Sequence, residues 1–180
     1  MTIPWTHVEP RTNTTQIDNF SSGEPIIDDW FHQNSAQEHT DKRVITHVCV
    51  DYLGQVVGFF SHTAVVCRFD GESNSLRKTY CSRGEVEAPA ILLAKMGLAK
   101  ALQGQKHGRR LCLQALAKIS QVAAAAGVRL LVVDALNDAL VPFYESVGFR
   151  SLNAQPTRLV MKTSNAAKLS SKAKDASNII

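Results

Sequence analysis

The chain has 180 residues, 44% of them apolar and 20% charged, enough for one globular domain and too apolar for a chain without fixed structure. No apolar run approaches the roughly 18 residues of a membrane span, and the opening MTIPWTHVEP has no basic start followed by an apolar block, so a soluble, cytoplasmic protein without membrane contact is expected. The net charge of +4 is uneven: residues 1–40 carry one basic and six acidic side chains, residues 41–133 thirteen basic and six acidic, a polarity that suits a polyanion, an anionic cofactor or an acidic partner, and as well a merely solvated face.

In SSGEPIIDDW, Ser22 or Gly23 caps a helix, Pro25 suits its first turn, and Ile26, Ile27, Trp30 and Phe31 form its apolar stripe; it should fade near His39–Asp41. Val44–Val50 and Val56–Val66, joined by Asp51-Tyr52-Leu53-Gly54, read as a β-hairpin. Residues 68–87 are polar and turn-rich, and are expected to be a long loop. The run after Pro89, AILLAKMGLA, reads as a buried strand, and Leu111 to Ala123 recur at helical spacing up to Gly127. Val128–Val133 is a short central strand; Asn137 or Asp138 caps a helix over Ala139–Val147, and Phe149–Leu152 and Arg158–Lys162 close the sheet. A domain over 1–162 is thus followed by a Ser/Ala/Lys-rich segment, 163–180, expected to be a disordered basic tail.

Cys49, Cys67, Cys81 and Cys112 include no CxxC pair and have no histidine at ligand spacing, so neither a metal site nor a disulfide framework is expected. Cys49 and Cys112 lie in apolar stretches and read as core, while Cys67 and Cys81 flank a polar segment and are expected nearer the surface.

The strongest chemical signal is a strand, then Gln103-Gly104-Gln105-Lys106-His107-Gly108-Arg109, then a helix. The first N–H groups of such a helix lack intrahelical partners and carry the positive end of its dipole, and glycine lets phosphate approach the backbone. Forty residues on stands Phe143-Tyr144-Glu145-Ser146-Val147-Gly148-Phe149. Together these resemble the GNAT superfamily of acetyl-CoA-dependent N-acetyltransferases. Its phosphate loop, Arg/Gln-x-x-Gly-x-Gly/Ala, has Gln103, Lys106 and Gly108 at its key places, and its FYxxxGF element is matched without a gap. Over residues 15–162 the chain is similar to the GNAT toxins of bacterial toxin–antitoxin pairs.

The resemblance implies a single α/β domain with a mixed, mainly antiparallel sheet, splayed at the acetyl-CoA site and covered by helices on both faces. It implies that the backbone of Met96 and Leu98 pairs with the pantetheine arm and that residues 104–109 hold the pyrophosphate. Cofactor contacts then fall to Gln103, Gly104, Gln105, Lys106, His107, Gly108, Arg109 and Asn137, with Tyr144 as general acid. The acceptor implied is the α-amine of aminoacyl-tRNA, and the partners are a ribbon-helix-helix antitoxin and a second copy in a homodimer. A small-molecule or protein amine is the alternative acceptor, and a catalytically weak CoA-binding or antitoxin-binding module a third reading. Lys42, Arg43, Arg77, Lys78 and Arg83 are candidates for a phosphate-backbone footprint. For a general base, Glu87, Glu145, His62 and His107 are available, none favoured. One departure stands out: Lys106 occupies the first glycine position of the loop, where a positive φ would strain it.

Overall fold

The computed structural model describes residues 3–177 and contains strands His7–Pro10 (β1), Ile45–Val50 (β2), Val56–Arg68 (β3), Glu87–Leu98 (β4), Leu130–Asp134 (β5), Arg150–Ser151 (β6) and Arg158–Lys162 (β7). Helices are Pro25–Gln33 (α1), Ser35–Thr40 (α2), Asn74–Tyr80 (α3), His107–Ala125 (α4), Val141–Val147 (α5) and Thr163–Ser177 (α6). The strands form one sheet in the order β1-β2-β3-β4-β5-β7-β6, parallel at β4–β5 and antiparallel at β1–β2, β2–β3, β5–β7 and β6–β7. The β4–β5 ladder ends at Leu93–Val133, five residues before β4 does. This is the expected mixed sheet. Contacts divide the chain into two units: residues up to Thr63 with Ala94–Cys112, and Ala64–Leu93 with the chain from Leu113 on.

In the first unit the hairpin forms as expected, Ile45 opposite His62 and Val48 opposite Phe59. Successive side chains alternate between faces, so Val48, Val50 and Phe59 share one, where α1 lays Phe31 flat on Phe59 at 3.9 Å and Phe20 meets both edge-on. Phe31 and Phe59 are fully buried, and truncating either to alanine would cost about 3–5 kcal/mol. The helix expected to run from Pro25 to about residue 40 is instead two, because the chain leaves helical geometry at Asn34 (φ −116°). β1 escaped the sequence reading: it is a short, mostly exposed edge strand with no apolar alternation.

In the second unit, Leu130–Val133 are all nearly inaccessible, the pattern of a strand covered on both faces. Around Val132 and Val160 lies an apolar cluster that includes Phe69, Leu76, Cys67 and Cys81. Three expectations are corrected here. Residues 68–87 are not all loop: Ser73 accepts a hydrogen bond from the Leu76 N–H at 3.2 Å, capping α3, which drives Leu76 into the cluster. Cys67 and Cys81 are buried rather than exposed, because β3 and α3 turn them into that cluster; burial pushes the Cys67 thiol up to about 11. Thr163–Ser177 is helical, not a disordered tail. Ala166 and Ser170, four apart, are both buried, and the Ser170 hydroxyl bonds the Ala166 carbonyl at 2.9 Å. Residues 178–180 lie outside the described residues.

Among the described residues no helix is long and apolar enough to cross a membrane, and no group of three or more metal-ligating side chains occurs.

Candidate functional site

The phosphate-loop candidates all lie in the first unit. β4 ends in Met96-Gly97-Leu98, and Gly97 has no alternative there: a Cβ would stand 2.5 Å from the Phe59 ring. The chain then turns through Ala99, whose N–H donates to Val57 O at 2.9 Å, and Lys100, whose N–H donates to Ser21 O at 2.9 Å. A short 3-10 turn, Lys100–Leu102, leads into Gln103.

Gln103 is a brace. Its side-chain amide donates to Leu98 O at 2.9 Å and to Ser22 O at 2.7 Å, tying the end of β4 to the loop before α1. That loop is organised by Asp28, which accepts from the Ser21 and Ser22 hydroxyls and from the Ser22 and Gly23 N–H groups at 2.6–3.2 Å. Burial pushes the Asp28 carboxyl up, but these hydrogen bonds outweigh it and hold it below its ordinary value. The serines before the helix thus serve Asp28 and the brace; Glu24, not Ser22 or Gly23, takes the cap position, without a side-chain bond.

Beyond Gln103, Gly104 (φ +73°) and Lys106 (φ +64°) both adopt the left-handed conformation, so the strain expected at Lys106 is present. A Cβ at Gly104 would meet nothing within 4 Å, leaving the loop open on that side. His107, the first residue of α4, is buried, and its Nδ1 has no hydrogen-bond partner among the described residues. Gly108, Arg109 and Arg110 follow in the first turn, at the positive end of the helix dipole. An open, glycine-bearing turn into a 19-residue helix, with Lys106, Arg109 and Arg110 beside it, fits a pyrophosphate. Cys112 sits one turn on, its thiol pushed up to about 12 by burial.

Tyr144 belongs to the second unit. β5 ends at Asp134, which holds Arg158 through two hydrogen bonds of 2.7 Å. Asn137 opens a 3-10 turn, Asp138–Leu140, but supplies no side-chain cap; α5 starts later than expected, at Val141, with Pro142 in its first turn. Pro142 needs no N–H there, so it sets the start. α5 closes at Gly148 (φ +114°), whose N–H donates to Tyr144 O and Glu145 O, while the Phe149 N–H also reaches Tyr144 O at 3.1 Å. These bonds fix the Tyr144 backbone. Its ring is buried, edge-on to Phe143 and Phe149 at 5.0 and 6.0 Å.

The basic candidates divide. Lys42 (φ +58°) and Arg43 are exposed at the turn between α2 and β2, in the first unit, Arg43 lying 3.8 Å from Asp41. Arg77, Lys78 and Arg83 gather around one cavity in the second. The candidate bases divide likewise, His62 and His107 in the first unit, Glu87 and Glu145 in the second. Glu87 pairs with Arg68 at 3.8 Å, and Glu145 accepts from the Ser151 hydroxyl at 2.9 Å. His62 is buried and stacked on His47 at 5.7 Å, which stacks on Phe60 at 5.2 Å, a ladder that hairpin alternation alone does not reveal.

Residues 10–149 match the model of the acetyltransferase (GNAT) family, and the chain belongs to that family, whose acetyl donor is acetyl-CoA. Among its relatives, the tRNA-acetylating toxin of Mycobacterium tuberculosis is 26% identical over 159 residues, 88% of this chain and 92% of its own. Solved structures share the fold. AtaT complexed with acetyl-methionyl-tRNAfMet aligns with a TM-score of 0.78 at 22% identity, covering 91% of this chain and 98% of that one. A mutant AtaT toxin bound to the C-terminus of the antitoxin AtaR and acetyl-CoA aligns with a TM-score of 0.74 at 21% identity, covering 91% and 96%.

Proposed function

We propose that this protein moves acetyl from acetyl-CoA to the α-amine of aminoacyl-tRNA, acting as a translation-blocking toxin in the cytoplasm. The observation that carries the transferase part is the turn into α4, where two left-handed positions, Gly104 and Lys106, bracket Gln105 at the start of a long helix. The acceptor rests on the relatives: the M. tuberculosis protein acetylates tRNA, and AtaT has been seen with acetyl-methionyl-tRNA. An antitoxin of ribbon-helix-helix type and a homodimer belong to the same reading.

Acetyl-CoA, when bound, supplies the activated thioester. Gly104–Arg109 would hold its pyrophosphate through backbone N–H groups, with the positive charge of Lys106 and Arg109 alongside. Gln103 keeps that turn in place from beneath. The Met96 and Leu98 backbone would receive the pantetheine amides; Asn137 would add a polar contact. Tyr144 would hold a proton on its phenolic oxygen, ready for a departing thiolate, because a phenol is protonated at neutral pH and can donate. No protein base is required: an α-amine is already partly deprotonated near pH 8.

The test is transfer of labelled acetyl from acetyl-CoA to charged tRNA. Alkali-labile label on the aminoacyl group supports the proposal. Label appearing only on free amines or proteins, with charged tRNA untouched, overturns the acceptor.

A further inference from the structure

Sequence alone scatters Arg77, Lys78 and Arg83 along a loop, and the structure collects them. The last turn of α3 carries Arg77 and Lys78, and the Cys81 N–H donates back to Arg77 O at 2.8 Å. A tight turn follows, with the Glu85 N–H on Ser82 O at 3.0 Å, and the Phe69 N–H holds Val86 O at 2.7 Å. The half-open cleft they frame is about 470 Å³, in the range that takes a small molecule and far larger than a phosphate ion needs. Its lining is three cations against one carboxylate, Glu85, with Cys81 and Val86 as an apolar strip.

The cations are not neutralised from within. Arg68 of the same unit pairs with Asp70 and Glu87, and Arg158 with Asp134. Among the described residues Arg77 bonds only the neutral amide of Asn74, and neither Lys78 nor Arg83 makes an ion pair or side-chain hydrogen bond. Like charges gathered around a concave surface repel one another unless an anion sits between them, and such a cleft concentrates anions.

We propose that this cavity takes one phosphate-bearing nucleotide of an RNA, its phosphate on Arg77, Lys78 and Arg83 and its base or ribose against Cys81 and Val86. The proposal rests on the RNA acceptor argued above, and it narrows the RNA footprint: Lys42 and Arg43, in the other unit, are not part of this site. Arginine and lysine suit phosphate, and an apolar strip accepts any base, so the contact would be tolerant of sequence.

Two measurements test it. Fluorescence anisotropy with labelled deacylated tRNA, over 50–300 mM KCl, compares the parent with the double variant Arg77→Glu/Lys78→Glu. Affinity at 100 mM KCl should fall roughly 10- to 100-fold and the log–log salt slope by about 1 or more, while acetyl-CoA affinity by calorimetry stays within about twofold. In the parent, maleimide labelling of Cys81, the only one of the four thiols not fully inaccessible at 7% exposure, should slow at least about fivefold when deacylated tRNA is added. A parent that acetylates charged tRNA while the double variant keeps parental affinity and slope overturns the cavity and leaves the acceptor standing. Unchanged Cys81 labelling in the presence of bound tRNA overturns it too. A free 5′-mononucleotide that protects Cys81 as well as tRNA does, with tRNA affinity insensitive to the substitutions, overturns the RNA in favour of a free nucleotide. A parent that neither binds nor acetylates tRNA overturns both readings together.

Discussion

The turn before α4 and the turn after α5 both use left-handed backbone, and they tolerate side chains differently. Gly148 sits at φ +114°, beyond the region an L-residue reaches cheaply, and a Cβ there would meet Leu169 and Met161 at 3.5 Å. Lys106 sits at φ +64°, inside the small left-handed well, in a turn where neighbouring Gly104 faces open space. So α5 closes on a position reserved for glycine, beneath the buried Tyr144, whereas the phosphate turn admits a lysine at a cost of about 1–2 kcal/mol. The open turn can exchange backbone freedom for charge; the closed one cannot.

The largest effect tests what the closed turn holds. Tyr144→Phe keeps the ring and its edge contacts with Phe143 and Phe149, so melting temperature and acetyl-CoA affinity should stay near the parent's. If the hydroxyl is the acid, single-turnover acetylation should slow roughly 10²–10⁴-fold with substrate affinity little changed. Near-parental turnover would make Tyr144 a packing residue and the comparison one of stability only.

Next comes the closed turn itself. Gly148→Ala should destabilise the fold by about 1–3 kcal/mol, measured by urea titration, from the strained φ alone, since the added Cβ would make only ordinary contact with Leu169 and Met161 at 3.5 Å. A change below about 0.5 kcal/mol would mean the turn relaxes, and the contrast with Lys106 would fail.

These two turns also show what was legible beforehand. Gly148 and the FYxxxGF spacing announce a helix end, and the glycine-flanked stretch after β4 announces a phosphate turn, because both depend on local backbone chemistry that a sequence displays directly. The role of Gln103 was not legible. It reads as part of the phosphate motif, yet its amide is spent on Leu98 O and on Ser22 O, 81 residues away in sequence, and no local pattern encodes such a partner. The same holds for α3, whose seven residues pack through Leu76 and the half-buried Tyr80, and for α6, where the buried positions among the described residues are the small Ala166 and Ser170 and so leave almost no apolar signal. Large apolar side chains advertise burial; small ones and amides do not.

The open turn gives a smaller effect. Lys106→Gly relieves the left-handed strain, but glycine also gains freedom in the unfolded chain, so the net gain should be a few tenths to about 1 kcal/mol. Acetyl-CoA affinity should stay within about threefold if the N–H groups of the turn do most of the holding. A loss beyond tenfold would show that the lysine charge has replaced the conformational freedom of a glycine, and the two turns would then differ in chemistry as well as in tolerance.

The smallest effect concerns the brace under the open turn, and pH isolates it. The carboxyl of Asp28 is held below its ordinary value, so the folded state binds its proton more weakly than the unfolded chain does. Its contribution is therefore fully present above the unfolded value, near 4, and is lost as pH falls through the lower folded value. Asp28 is only half-buried, so water screens the interaction and Asp28→Asn should cost no more than a few tenths to about 1 kcal/mol at pH 7. Asparagine keeps one acceptor oxygen for the Ser22 N–H but cannot serve all four donors at once. Melting curves of parent and variant should differ at pH 7, hold that difference to about pH 5, and converge towards pH 3. A gap that persists unchanged at pH 3 would mean that the serines recognise the shape of the side chain rather than its charge, and that the link from Asp28 through Ser22 to Gln103 does not depend on ionisation.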